Sequence, residues 1–93
     1  MNEKSLEKIF KGLANRRRLA VIRALVNGKE MSVSEISRKI KLSFTSTSKH
    51  LGMLRQLDIL DRRQQELTVY YSISSDLPQI VKKLLVDISN SRE

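Results

Sequence analysis

Residues 32–73 contain, in one unbroken stretch, signals for two short helices, a tight turn between them and two β-strands. Ser32 and Glu35 form an S-x-x-E capping box, which marks the start of a helix. Met31 and Ile36 occupy the flanking positions of a hydrophobic staple at the same start. A helix–turn–helix followed by a β-hairpin wing is the arrangement that places one helix in the major groove of DNA.

The second helix of the pair, predicted over about Phe44–Gln56, begins with four consecutive hydroxyl residues at positions 45–48. Serine and threonine are poorer helix formers than alanine, and such departures from local propensity are typical of functional sites. Short hydroxyls let a helix approach DNA closely and bond phosphates or base edges. An ordinary polar face is the alternative, but the capped partner helix and the wing favour DNA. The predicted DNA contacts are Ser43, Thr45, Ser46, Ser48, Lys49, His50, Arg55, Arg62 and Arg63.

Two residues within this helix have competing interpretations. His50 lies at the edge of the apolar face, where a packed structural residue or a phosphate contact is favoured over base readout or pH sensing. Gly52 lies mid-helix, where glycine costs about 1 kcal/mol relative to alanine. Close approach of another backbone, from protein or DNA, would explain this glycine, and a neutral glycine is equally open.

The wing is predicted as two strands, about Ile59–Arg63 and Leu67–Ser74. The second alternates apolar and polar residues with the period of a half-buried strand. Residues 62–65 are then expected at the hairpin tip, where Arg62 and Arg63 can lie along phosphates or reach into a minor groove. A solvated turn is the alternative.

Helices over about Glu3–Leu13, Arg16–Asn27 and Leu77–Ser89 complete the predicted elements. Asn15 is a plausible N-cap for the second of them, and Gly28 follows it where a left-handed residue is favoured. The predicted fold class is therefore mainly α, with about five helices and a small two-stranded β-hairpin wing.

The first and last helices each carry an apolar stripe longer than so small a core obviously needs. Packing within the chain and a two-fold interface between two copies are both open from the residues alone. The candidate interface residues are Leu6, Ile9, Phe10 and Leu13 of the first helix and Ile80, Leu84, Leu85 and Ile88 of the last.

Three consecutive arginines, Arg16, Arg17 and Arg18, begin the second helix. Positive charge at a helix N-terminus is mildly unfavourable because of the helix dipole. A solvated face, an internal ion pair and a phosphate contact all remain open for them.

Composition narrows the function class. The 93 residues are enough for one domain, over 1–93, and their net charge of +8 favours a polyanionic partner. A membrane is the weaker choice, since no apolar run approaches the roughly 20 residues of a span. The N-terminal segment lacks the apolar stretch of a signal peptide, so a cytoplasmic protein is expected.

The sequence gives little support for catalysis or for a metal site. There is no cysteine and only one histidine, so thiolate metal sites and multi-histidine clusters are excluded. No nucleophile–base set or phosphate-binding loop is present. We therefore expect neither an enzyme nor a cofactor or metal.

Several segments together resemble the ArsR-type winged helix-turn-helix transcriptional regulators, over nearly the whole chain. The opening IFKGLANRRRLAVIRAL, with Leu13-Ala14-Asn15, is similar to the start of the family pattern. The motif Ser48-x-His50-Leu51-x-x-Leu54 matches its most specific part, and VYYSI, at Val69–Ile73, matches the strand after the wing.

The resemblance implies a homodimer that represses transcription from a palindromic operator, and it favours the two-fold interface for the apolar stripes. Many members release DNA on binding a metal ion, but this chain has Met31, Val33 and Ser34 where metal-sensing members carry cysteines. Its last helix also lacks histidine, so the known metal sites are not carried over. Glu66 and Leu67 stand where glycine and a basic residue are common, which shifts the expected wing contact to the neighbouring arginines. A winged-helix protein-interaction module and a metal-responsive regulator with a non-cysteine site are the alternative functions.

Overall fold

Residues 1–90 of the chain are described by a computed structural model. Within this range the fold class is as predicted, mainly helical with a small antiparallel wing. The elements, in chain order, are α1 (Glu3–Leu13), α2 (Arg16–Leu25), β1 (Glu30–Ser32), α3 (Val33–Ile40), α4 (Phe44–Gln56), β2 (Leu60–Gln65), β3 (Thr68–Ile73) and α5 (Gln79–Asn90).

Side-chain caps set the starts of the central helices, and the predicted bounds of α1, α3 and α4 are confirmed. At α3, Ser32 N donates to Glu35 Oε1 at 2.8 Å while Glu35 N donates to Ser32 Oγ at 3.1 Å, so both halves of the capping box are formed. Ser43 Oγ accepts from Ser46 N at 3.1 Å and begins α4 in the same way.

The predicted bounds of the second and last helices were wrong. The second helix ends at Leu25 rather than Asn27, because Val26 leaves the helical region with ψ 159°. Gly28 still has a left-handed φ of 76°, in the turn beyond the helix. The last helix begins at Gln79 rather than Leu77, since a residue directly before proline is disfavoured in helical conformation.

The turn of the helix–turn–helix is three residues long. Lys41 ends α3 in the left-handed region, with φ 57°, and Leu42 N donates to Ser37 O at 3.0 Å. This hydrogen bond satisfies a carbonyl of the last turn while the chain reverses toward α4. The geometry fixes the angle at which α4 leaves α3.

The sheet has three strands rather than the predicted two, in the order β1–β3–β2 with both pairs antiparallel. The three-residue strand β1 is too short to show a period in the sequence. The β2–β3 ladder continues to the pair Gln65–Thr68, and Glu66 and Leu67 alone form the turn. The placement of Arg62 and Arg63 at the tip was therefore wrong, because cross-strand pairing extends β2 through these polar residues.

The core lies where α2, α3 and α4 meet the sheet and α5. Its fully buried side chains, with no more than 1% exposure, include Ile22, Leu25, Ile36, Leu51 and Ile59. The packing holds α4 by one face and leaves its other side in solvent.

Candidate nucleic-acid interface

Helix α4 has the two faces that the sequence predicted. Thr47, Leu51 and Leu54 have no exposure and anchor the helix in the core. The predicted contacts on the opposite side, among them Thr45 and Lys49, are exposed, and the others on the helix are at least partly accessible. The N-cap Ser43 and Arg55, in the last turn, are also exposed. All predicted DNA contacts on α4 are therefore at least partly accessible to solvent.

A cleft of about 500 Å³ lies between α4 and the hairpin, and we call it the α4–wing cleft. Its lining includes Ser34 of α3, Phe44 and Ser48 of α4, Arg62 of β2, and Leu67 and Thr68 at the hairpin end. Gly52, Arg55 and Arg62 line a second cleft of about 750 Å³ further along α4, together with Asp58 and Asp61. Arg62 thus faces the side of α4 that extends from Phe44 to Arg55.

Arg62 and Arg63 point to opposite faces of the sheet, because consecutive strand residues alternate. Arg62 pairs across the ladder with Tyr71, and both line the two clefts. Arg63 pairs with Tyr70, and its guanidinium lies 4.7 Å from the centre of that ring. The same guanidinium donates to both carboxylate oxygens of Glu30, at 2.8 and 3.0 Å.

The Arg63–Glu30 contact changes the electrostatics of both groups. Hydrogen bonds from Arg63 lower the pKa of Glu30, and the carboxylate raises the pKa of Arg63. Arg63 also donates to Gln65 Oε1 at 2.9 Å. Arg63 is therefore engaged on the outer face of the sheet. Arg62 is the positively charged residue that lines the α4–wing cleft.

His50 is part of an internal contact between helices. Arg18 Nε donates to His50 Nδ1 at 3.3 Å, and Arg18 Nη1 donates to Gly12 O at 3.1 Å. Burial lowers the pKa of His50, and the charges of Arg18 and Arg17 lower it further. The structure supports the structural interpretation of His50, and its phosphate contact stays a prediction.

The three arginines at the start of α2 also differ in their surroundings. Arg18 is half-buried and joins α1, α2 and α4 through its two hydrogen bonds. Arg16 and Arg17 are exposed. The interpretation as an ion pair was wrong for Arg18, because its partners are a carbonyl and an imidazole.

The predicted interface stripes divide into core and surface. Ile9, Leu13 and Leu85 are 6–8% exposed and belong to the protomer's own core, and their place in an interface stays a prediction. Phe10 and Ile80 are 46% and 43% exposed and remain available to a second copy. The other three predicted interface residues are half-buried: Leu6, Leu84 and Ile88.

Sequence reasoning gave no role to Phe44, which is 55% exposed at the first position of α4 and lines the α4–wing cleft. An aromatic residue directly before the hydroxyl run was the signal that could have found it. Outside its own stretch of helix backbone, no atom lies within 4 Å of where a Cβ on Gly52 would stand, so no approach by another element of the protomer requires this glycine. Gly12 is different, since a Cβ there would overlap the Leu57 side chain.

Residues 1–90 contain neither a candidate membrane span nor a candidate metal cluster. None of their helices has the length and apolar character needed to cross a membrane. No three histidine, aspartate or glutamate side chains in that range gather in a way that could hold a metal ion.

Comparison with known proteins identifies relatives of this chain. The model of the arsR family of bacterial regulatory proteins matches residues 15–62, from α2 into β2. The transcriptional activator HlyU of Vibrio cholerae is 34% identical over 92 residues, which cover 91% of this chain and 84% of HlyU. The transcriptional repressor PagR of Bacillus anthracis is 32% identical, over 84% of this chain and 78% of PagR.

Solved structures agree with the sequence relatives. Reduced HlyU from Vibrio cholerae superposes with a TM-score of 0.80 at 32% identity, covering 94% of this chain and 87% of that one. Mb0332 from Mycobacterium bovis superposes with a TM-score of 0.76 at 26% identity, covering 91% and 75%, and is described as a homodimeric winged helix-turn-helix DNA-binding domain. Together with the matched family model and the exposed face of α4, these similarities show that the chain belongs to the arsR family of bacterial regulatory proteins and is a DNA-binding transcriptional regulator.

Proposed function

We propose that this protein is a homodimer that binds a pseudo-palindromic operator in double-stranded DNA and represses transcription from it. The observation that carries the proposal is the position of Arg62, which faces the exposed side of α4 across the α4–wing cleft. A helix in the major groove and a wing beside it enclose one sugar–phosphate strand, and a cation between them meets the phosphates. Ser48 and Lys49 supply hydroxyl and charge from the helix side.

Dimerisation is supported by the apolar surface on α1 and α5. Phe10 and Ile80 are large exposed side chains on these two helices, and Val86 of α5 is 58% exposed. The Mb0332 domain, which is described as homodimeric, has the same fold. A two-fold axis through this face presents two α4 helices, which read half-sites about 34–36 Å apart.

Repression is the simpler direction of control for such a dimer. Relatives of both kinds exist, since HlyU is named an activator and PagR a repressor. A dimer that covers promoter DNA excludes polymerase without any further surface, whereas activation requires a contact with the transcription machinery. With no cysteine in the chain, control by a thiolate-bound metal is excluded on chemical grounds.

Selection of bound sequences from random duplexes, with and without a chelator, tests the proposal. We expect an inverted repeat with half-site centres one helical turn apart, unchanged by the chelator. Recovery of no sequence would favour the protein-interaction module. Recovery that depends on added metal would favour a regulator with a non-cysteine site. A single unrepeated site would contradict the dimer, and placing the recovered operator over a reporter promoter then tests repression.

A further inference from the structure

The stripe of α4 that faces the wing carries one unexplained aromatic residue. Phe44, Ser48, Gly52 and Arg55 lie at positions that share this side of the helix, and all four line one of the two clefts. Ser48 and Gly52 are short, so the Phe44 ring stands out from the face at the start of the helix. The residue is 55% exposed although it lines the α4–wing cleft, so a ligand in the cleft can reach the ring.

Packing within the protomer does not account for Phe44. The ring belongs neither to the buried core cluster nor to the partly buried residues packed against that cluster. The apolar surface proposed for the dimer lies on α1 and α5, which contribute nothing to the α4–wing cleft. The α4–wing cleft is therefore open to a separate molecule.

Charge identifies the class of that molecule. No acidic residue lines the α4–wing cleft, while Arg62 and several hydroxyls do. With the exposed Lys49 one residue after Ser48, and a net charge of +8, the surroundings favour a polyanion over an apolar peptide. A ligand that combines negative charge with a small apolar group suits this lining, and the major groove of DNA at a thymine is such a ligand.

We infer that Phe44 reads a thymine in each half-site by contact with its 5-methyl group. This inference rests on the proposed operator binding. Side chains at a helix start lean toward the N-terminus, and the first residues of a recognition helix are those that reach base edges. In the major groove, thymine alone among the four bases presents a methyl group, which phenylalanine can contact.

The test replaces single thymines of the selected operator with deoxyuridine, which removes only the methyl group. Because one buried methyl group is worth about a fourfold change in affinity, we expect one thymine in each half-site to show a loss of about that size. With Phe44→Ala the deoxyuridine penalty should disappear, and with Phe44→Leu part of it should remain.

Met53→Ala is the matched control, because Met53 is 46% exposed on the same helix but lines neither cleft. This variant should keep the full deoxyuridine penalty. If no thymine shows a penalty, or if Phe44→Ala retains it, the inference is overturned while operator binding stands. If selection enriches no DNA sequence at all, both the inference and the proposed function fall.

Discussion

The Arg63 guanidinium reaches across the central strand of the sheet and donates to both oxygens of the Glu30 carboxylate, at 2.8 and 3.0 Å. Tyr70 on that strand lies beneath the guanidinium. The next residue back along β2, Arg62, lies on the other face with no acidic neighbour in the α4–wing cleft. We therefore expect these two adjacent arginines of the same strand to have different roles on DNA.

Arg62→Ala and Arg63→Ala should separate these roles. Loss of one phosphate contact lowers the slope of log affinity against log salt by about 0.9, so loss of one contact from each protomer of the dimer lowers it by about 1.8. We expect this change for Arg62→Ala and an unchanged slope for Arg63→Ala, measured by fluorescence anisotropy on the operator. A reduced slope for Arg63→Ala alone would show that Arg63 exchanges Glu30 for a phosphate.

Lys49→Ala should weaken operator binding without changing the unfolding temperature, because Lys49 is exposed and takes no part in the core. Lys82→Ala, at an exposed site on α5, is the control for loss of one positive charge and should bind nearly as wild type. Equal binding by Lys49→Ala and wild type would remove Lys49 from the interface.

Thr47→Val should stabilise the protein. The Thr47 side chain has no exposure and its Oγ1 has no hydrogen-bond partner. Since an unsatisfied buried hydroxyl costs about 1–3 kcal/mol, the isosteric valine should raise the free energy of unfolding in urea by about 1 kcal/mol. Thr45→Val, at an exposed position on the same turn, should change it little. A less stable Thr47→Val protein would mean that the hydroxyl is satisfied in solution.

His50 should make stability fall in mild acid. Its pKa in the folded protein lies below the ordinary 6.5, so the folded state binds fewer protons than the unfolded state in this range. The contribution of neutral His50 to the free energy of unfolding is therefore complete above pH 6.5 and declines as the pH falls below it. Glu30 and Glu35, whose pKa values are lowered from 4.5, lose their contributions at lower pH.

The measurement for His50 is urea unfolding between pH 5 and 8, compared with His50→Gln. As the chain has a single histidine, the variant should remove most of the dependence in this window. Stability that rises as the pH falls through the window would contradict the contact between Arg18 and His50.

Phe10→Lys with Ile80→Lys should convert the dimer to a monomer, since the pair places two charges within the proposed apolar interface. Light scattering at micromolar concentration measures the mass. Leu67→Lys is the matched control, because Leu67 is 98% exposed at the hairpin turn and belongs to neither helix. A double variant that stays dimeric would move the interface elsewhere.

Local signals predicted the helix–turn–helix well. The capping box at Ser32 and Glu35 and the N-cap Ser43 act within three residues of the helix starts that they set, so sequence alone locates α3 and α4. Burial of Thr47 and Leu51 follows from the helical period in the same way.

Contacts between distant residues were harder to foresee. The separation of Arg62 from Arg63 depends on where the β2–β3 ladder ends, and the polar residues of β2 resemble a turn when read locally. The bond from Arg18 to His50 joins positions 32 residues apart, and the Glu30–Arg63 pair joins positions 33 apart. Tertiary pairing, which local propensity does not encode, decides both.

The salt dependence of operator binding tests the central claim most directly, that the exposed face of α4 and the wing hold DNA by its phosphates. For a dimer that contacts six to ten phosphates, affinity should fall by roughly 10³–10⁵ between 50 and 200 mM salt. An affinity that stays level across this range would contradict the account.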